Sequence, residues 1–340
     1  MDDFHTNKLR LTTAFESYTR HVFNFQALEY QTKAFTNALL GKNYVLVSGT
    51  GTGKTHPIIC GCARFVTLYI VPLKCIKVNL KDAIREKYKC NVFTNFDAFV
   101  SLQTTKGKVL LCCPEYLHNI LEREKYNNLR IVLHQLQFER IVIDEAHLDP
   151  VDGKTFRIEG YNAMRGIVKN QNNASIIFIT ATCTPSIKKN LEINYKQPEL
   201  PIIRGISGIK NIEFNIEKGS AKTLLNGLKE HSVSAKKIII FIQNIDVLDD
   251  VKVALEDEGY SNVIKVHGKK MSAKKYIQLK RMNQYVLVAT DCLGLGFNDV
   301  VDLVVILNPK TLYNLSQLAG RTGRATLRFF CSILNIQNNE

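Results

Sequence analysis

The octet Ser48-Gly49-Thr50-Gly51-Thr52-Gly53-Lys54-Thr55 has the residue types and spacing of an anion cradle. It follows the apolar run Tyr44-Val45-Leu46-Val47 and precedes a helical pattern, so its glycines let successive backbone N–H groups converge on a phosphate. The helix N-terminus adds its dipole, Lys54 reaches the terminal phosphates, and Thr55 offers a hydroxyl to magnesium. Ser48 stands where the strict pattern has glycine and is small enough to take its place. Pro57 falls in the first helical turn, where N–H groups have no intrahelical partner. The chemistry is that of ATP held with Mg2+.

Two more groups of residues can act on such a ligand. Ile141-Val142-Ile143 ends in Asp144-Glu145-Ala146-His147, which puts carboxylates just past the C-terminal end of a strand, where parallel α/β sheets place their ligands. Asp144 is expected to hold magnesium through water, and Glu145 to orient and deprotonate the water that attacks the γ-phosphate. Thr180-Ala181-Thr182 follows the run 176–179; its hydroxyls either close a turn or link the nucleotide site to an adjacent domain. In Gln317-Leu318-Ala319-Gly320-Arg321-Thr322-Gly323-Arg324 two guanidinium groups either face solvent or reach across a cleft between lobes to stabilise transition-state charge on the γ-phosphate. Thr290, Gly294 and Gly296 follow another strand-like run and allow close backbone approach to a sugar-phosphate chain; His267, after the run 263–266, is a further histidine that reads as structural or functional.

These residues need a scaffold, and the hydrophobic pattern supplies one. Short apolar runs at 44–47, 68–71, 109–112, 141–143 and 176–179 alternate with helical patterns, as do later runs at 238–242, 263–266, 286–289, 303–307 and 329–334. The fold class is therefore α/β, with two lobes that each have a mainly parallel sheet and helices on both faces. The expected boundaries are an N-terminal arm over 1–24 with no assigned role, an ATP-binding lobe over 25–200 and a second lobe over 201–340. The stretch 194–220 reads as a linker.

With 340 residues the chain can bury two cores, and a net charge of +14 favours a polyanionic partner. The nine cysteines form an odd count without a Cys-x-x-Cys pair, which reads as buried thiols rather than a zinc site. No apolar run approaches the ~20 residues a bilayer needs, so a soluble, intracellular protein is expected, with the nucleus suspected for one that acts on DNA.

Taken together, SGTGTGKT, DEAH, TAT and QLAGRTGR occur in the order and spacing of superfamily 2 helicases, and finer features resemble the RecQ group. Gln31 lies ten residues before Gly41, as does the adenine-reading glutamine of RecQ-type enzymes before their Leu-x-Gly-Arg-Asp. Val71-Pro72-Leu73 and Cys113-Pro114-Glu115 resemble motif Ia and the Thr-Pro-Glu of that group, and Phe156-Arg157 is spaced from DEAH like the Phe-Arg of its aromatic-rich loop. ATDCLGLGF is similar to their ATxAFGMGI. The resemblance implies tandem RecA-like lobes. It implies that Gln31 reads adenine, Gly49, Thr50, Gly51, Thr52, Gly53, Lys54 and Thr55 bind ATP, and Thr55 and Asp144 bind magnesium. Lys54, Asp144, Glu145, Arg321 and Arg324 would serve hydrolysis; His147, Thr180, Thr182 and Gln317 would couple the lobes. Phe156, Arg157, Thr290, Gly294 and Gly296 would contact nucleic acid, although Phe156 and Arg157, with Tyr161, could equally be packing residues.

Departures sharpen the expectation. The loop after DEAH lacks the family's Trp and His, Ala27-Leu28 replaces its Phe-Arg, and Asn298 replaces an Asp; with the sequence ending shortly after Arg324, a core without the zinc-binding and winged-helix modules of RecQ enzymes is expected. The resulting expectation is an ATP-dependent, RecQ-like 3′–5′ DNA helicase or translocase on single-stranded or forked DNA, both hydrolase and isomerase. The alternatives are an RNA helicase of DEAD/DEAH type and a nucleic-acid-binding remnant.

Overall fold

The structure, a computed structural model, describes residues 2–62, 64–102, 107–152, 157–206, 212–219, 228, 235–267, 278–279, 281–290, 301–307, 318 and 329–336. It divides into two compact units, Met1–Ile206 and Ser207–Glu340.

In the first unit seven strands form one parallel sheet: β1 (Tyr44–Val47), β2 (Val66–Ile70), β3 (Asn91–Phe93), β4 (Lys108–Cys112), β5 (Arg140–Asp144), β6 (Ser175–Thr180) and β7 (Ile202–Arg204). Their spatial order is β3-β4-β2-β5-β6-β1-β7. β1, β2, β4 and β6 are buried at every position, which is why their sequences carry continuous apolar stretches rather than alternating ones. The helices are α1 (Asp2–Phe23), α2 (Glu29–Leu39), α3 (Thr55–Cys62), α4 (Lys74–Tyr88), α5 (Phe96–Ser101), α6 (Pro114–Glu122), α7 (Asn127–Gln135), α8 (Leu148–Asp152), α9 (Ile158–Lys169) and α10 (Pro185–Tyr195). Local chemistry sets their ends: the Asn95 side chain accepts from the Asp97 amide at 2.8 Å to start α5, and Thr184 Oγ1 accepts from Ile187 at 3.3 Å to start α10, with Pro185 in its first turn.

The region 1–24, without a role in the sequence, is a helix that closes over the back of α3. Phe15 is buried and stacks on Phe35 of α2 with ring centroids 4.4 Å apart. His56, the second residue of α3, has its ring 4.8 Å from Phe23 and 5.0 Å from Phe25, and its Nδ1 lies 2.6 Å from Tyr88 Oη. Burial lowers its imidazole from 6.5 to about 4. The unfolded chain therefore takes up this proton first, so the stability contributed by neutral His56 is complete above pH 6.5 and is lost as pH falls toward 4. Thermal unfolding across that window should show a falling Tm, and His56→Gln should remove a few degrees of the fall; an identical pH profile would count against this assignment.

The second unit holds β8 (Ile212–Gly219), β9 (Lys237–Phe241), β10 (Val263–Val266), β11 (Tyr285–Ala289), β12 (Leu303–Leu307) and β13 (Phe329–Ile336), parallel in the order β10-β11-β9-β12-β13-β8, with helix α11 (Val247–Asp257). Successive residues of one strand serve opposite layers. Ile239, Phe241, Leu287, Val304 and Ile306 belong to one buried cluster; Ile238, Ile240, Val286, Val288 and Val305 belong to another.

The linker expected over 194–220 is corrected. α10 continues to Tyr195, β7 joins the first sheet by pairing Ile202 and Ile203 with Val45 and Leu46, and β8 pairs along its length with β13. Residues 201–206 thus belong to the first unit, not to a second lobe starting at 201. No described helix is long and apolar enough to cross a membrane.

Candidate active site

Strands β5, β6 and β1 are neighbours, so the segments leaving their C-terminal ends converge. The phosphate loop leaves β1 and enters α3 at Thr55. Gly51 and Gly53 have φ of 74° and 81°, left-handed values that glycine adopts at no steric cost and that bend the loop back on itself. A Cβ at Gly53 would lie 2.7 Å from Gln31 Nε2, a second reason for glycine there.

The loop is gripped from α2. Tyr30 Oη donates to Thr52 O at 2.5 Å, and Gln31 Nε2 donates to Gly53 O at 3.2 Å. The Gln31 carbonyl accepts from the Leu28 amide at 2.9 Å. Gln31, expected to read adenine, is buried here against the phosphate loop itself. Tyr30 was not singled out in the sequence. Its signal was its place beside Gln31, in the first turn of a helix that faces the loop.

Lys54, Asp144 and Glu145 share one electrostatic environment. Asp144 ends β5, opposite Ile179 of β6, and its Oδ1 accepts from the Glu145 amide at 2.9 Å. Burial and the adjacent Glu145 raise the Asp144 carboxyl from 3.8 to about 7, and the Lys54 charge acts in the opposite sense. Two neighbouring carboxylates with one ammonium beside them form a donor set that suits a divalent cation, and the bent loop ahead of Lys54 suits the phosphates that accompany it.

His147 is fully buried, and burial lowers its imidazole to about 4, so it is neutral. Its Nδ1 lies 2.8 Å from Thr180 Oγ1 and 3.5 Å from Glu145 Oε2. Thr180 Oγ1 donates to Thr182 O at 2.8 Å, which leaves Nδ1 of His147 as the donor toward Thr180. The DEAH turn and the Thr-Ala-Thr segment are therefore joined within the first unit. Directly after DEAH, the buried Asp149 accepts from Arg165 Nε at 2.8 Å and Asn194 Nδ2 at 3.2 Å, tying α8 to α9 and α10. The sequence reading missed this carboxylate, whose partners Arg165 and Asn194 lie far from it in the chain.

Arg157, expected either to contact nucleic acid or to pack internally, makes internal contacts. Its side chain is 8 % exposed, and its Nε donates to Glu115 Oε1 at 2.5 Å while a terminal nitrogen donates to the Pro72 carbonyl. The guanidinium thus joins Val71-Pro72-Leu73 to Cys113-Pro114-Glu115, because two nearby acceptors outcompete solvent for it. Arg157→Ala should cost about 1–3 kcal/mol by stranding the Pro72 carbonyl. An unchanged urea midpoint would show that the junction contributes nothing.

Thr290 follows β11, and its amide donates to Val266 O at 3.2 Å. Phe156, Gly294, Gly296, Gln317, Arg321 and Arg324 lie outside the described residues.

Comparison with known proteins agrees with this arrangement. Residues 28–190 match the family model of DEAD/DEAH box helicases, and residues 220–326 match the helicase conserved C-terminal domain. The chain is 24% identical over 339 residues to nucleolar RNA helicase 2-A of Xenopus laevis, covering 87% of this chain but 42% of that protein. It is 21% identical over 361 residues to ATP-dependent RNA helicase FAL1 of Candida glabrata, covering 94% of this chain and 86% of that one. Among solved structures, the DUF1998 helicase MrfA bound to DNA superposes with a TM-score of 0.73 at 18% identity, over 95% of this chain and 50% of that chain. S. cerevisiae Dbp5 bound to RNA and ADP BeF3 gives a TM-score of 0.70 at 17% identity, over 94% and 86%. The structural likenesses establish the fold as two RecA-like lobes. With both domain models matched in order, and the described motif-bearing loops of the first unit leaving one edge of its sheet, the chain carries the core of a superfamily 2 helicase.

Proposed function

We propose that the chain is an ATP-driven RNA helicase or RNA-dependent ATPase, with ATP and Mg2+ as cofactors and single-stranded RNA as its nucleic-acid partner. The observation that carries the reading is the shared environment of Lys54, Asp144 and Glu145 beside a phosphate loop on the same sheet edge. Bound ATP with magnesium would supply the phosphoanhydride to be cleaved. Loop amides and Lys54 would hold the phosphates, and Thr55 and Asp144 would hold the metal. Glu145 accepts the proton of the attacking water; its carboxylate lies 3.5 Å from Nδ1 of the neutral His147, whose proton is turned to Thr180. Arg321 and Arg324 would add positive charge in the transition state.

RNA is preferred to the RecQ-like DNA substrate for two reasons. The two curated relatives are named as RNA helicases, and Arg157, which the RecQ resemblance would give to DNA, is committed to Glu115 and Pro72. The DNA-bound MrfA neighbour keeps a DNA reading in view as the second possibility. ATP hydrolysis by the purified chain with single-stranded RNA, single-stranded DNA and duplexes decides between them. Stimulation by RNA supports the proposal, stimulation by DNA alone transfers the activity to the second reading, and binding without turnover identifies a passive binder.

A further inference from the structure

The end of the first unit is fastened to the phosphate loop. The Gly205 amide donates to Val47 O at 2.7 Å, and the Gly49 amide donates to Ile206 O at 2.9 Å. The Ser48 hydroxyl lies 3.2 Å from that same Ile206 carbonyl and 2.7 Å from Thr52 Oγ1. Thr52 Oγ1 in turn donates to Gly49 O at 2.8 Å, and Tyr30 Oη holds Thr52 O. An unbroken set of contacts therefore runs from the turn of the loop, through Ser48, to Ile206, the last residue of the first unit. Glycine at position 48, as the strict loop pattern has it, would lack the hydroxyl that completes this set.

The fit leaves no room at Gly205. A Cβ built there would come within 2.4 Å of Ser48 Oγ, 2.7 Å of Ser48 Cβ and 3.0 Å of the Tyr30 ring. Ser48 and Tyr30 are themselves buried and held, so a methyl group at 205 must push the strand end off the loop or the loop off its seat.

We propose that Gly205–Ile206 is a strap that fastens the phosphate loop to the chain entering the second unit, with Ser48 as its positioning residue. Occupancy of the loop would then be passed directly to the connection between the units, through backbone bonds rather than through a distant relay. The proposal rests on the reading of the site as an ATPase, so its test carries one readout that needs no turnover.

Three variants of the full chain are compared with wild type: Gly205→Ala, Ser48→Gly and the double substitution. Amide hydrogen exchange at Gly49 reports the strap directly. Protection in wild type, a modest rise in exchange in Ser48→Gly through loss of its hydroxyl, exchange at least about tenfold faster in Gly205→Ala, and recovery to the Ser48→Gly level in the double variant are expected, because Ser48→Gly removes both atoms nearest the new methyl. The ATP KM and the stimulation by single-stranded RNA should follow the same order, with KM raised roughly tenfold in Gly205→Ala and the loss reduced in the double variant. Wild-type protection and kinetics in Gly205→Ala would overturn the strap. So would a defect in that variant that Ser48→Gly leaves unrelieved, since the damage would then lie elsewhere. If wild type hydrolyses no ATP under any condition, the proposed activity fails while the exchange measurement still decides the strap.

Discussion

Lys54→Ala is expected to lower kcat/KM for ATP by at least about 100-fold, through two effects that reinforce each other. The first is loss of the ammonium that meets the phosphates at the head of α3. The second follows from the surrounding carboxyls: the Lys54 charge opposes the rise of Asp144, so its removal drives that carboxyl further toward the neutral form and weakens it as a magnesium ligand. Steady-state hydrolysis at several magnesium concentrations measures both, and excess magnesium should recover little. An unaltered kcat/KM would remove the phosphate-binding role from this loop.

Glu145→Gln should separate binding from chemistry. The amide is nearly the size of the carboxylate and can keep the contact with His147 that Glu145 makes at 3.5 Å, so the turn should survive. What it cannot do is accept a proton from water. Hydrolysis should therefore fall by about 100- to 10,000-fold while nucleotide affinity changes little. Equilibrium binding of a non-hydrolysable ATP analogue, alongside single-turnover hydrolysis, reports the two quantities separately. A wild-type rate would place the base on another residue.

The central architecture was legible because strands buried on both faces leave continuous apolar runs. The runs at 44–47, 263–266 and 303–307 coincide with β1, β10 and β12, and the others fall within a residue or two of their strands. What escaped notice lies at the margins. β3 and β7 have three residues each, too short for a pattern to rise above a loop, and β3 is exposed at Asn91. β8 did carry a signal, the alternation Ile212-Glu213-Phe214-Asn215-Ile216-Glu217, but the prolines and glycines before it suggested a linker. In α1, Leu11, Phe15, Thr19 and Phe23 recur every fourth residue, and Phe15 and Thr19 are the buried pair.

The nucleotide-site motifs were readable as residue types because phosphate and metal chemistry demands them at fixed spacing. Their partners were not. The grip of Tyr30 on Thr52, the strap at Gly205 and the Asp149–Arg165 contact join residues far apart in sequence, and only the fold brings them together. Arg157 is a related case: its position left nucleic acid and internal packing equally open, and only the fold shows that its nearest acceptors belong to the protein.

Glu145 itself has a φ of 49°. A side chain in that left-handed region carries about 1 kcal/mol of strain that glycine would not. With Glu145 as the proposed base, selection for thermal robustness and selection for turnover therefore oppose each other at this residue. A library screened only for heat resistance would drift toward glycine here and would enrich inactive proteins that melt higher than their parent.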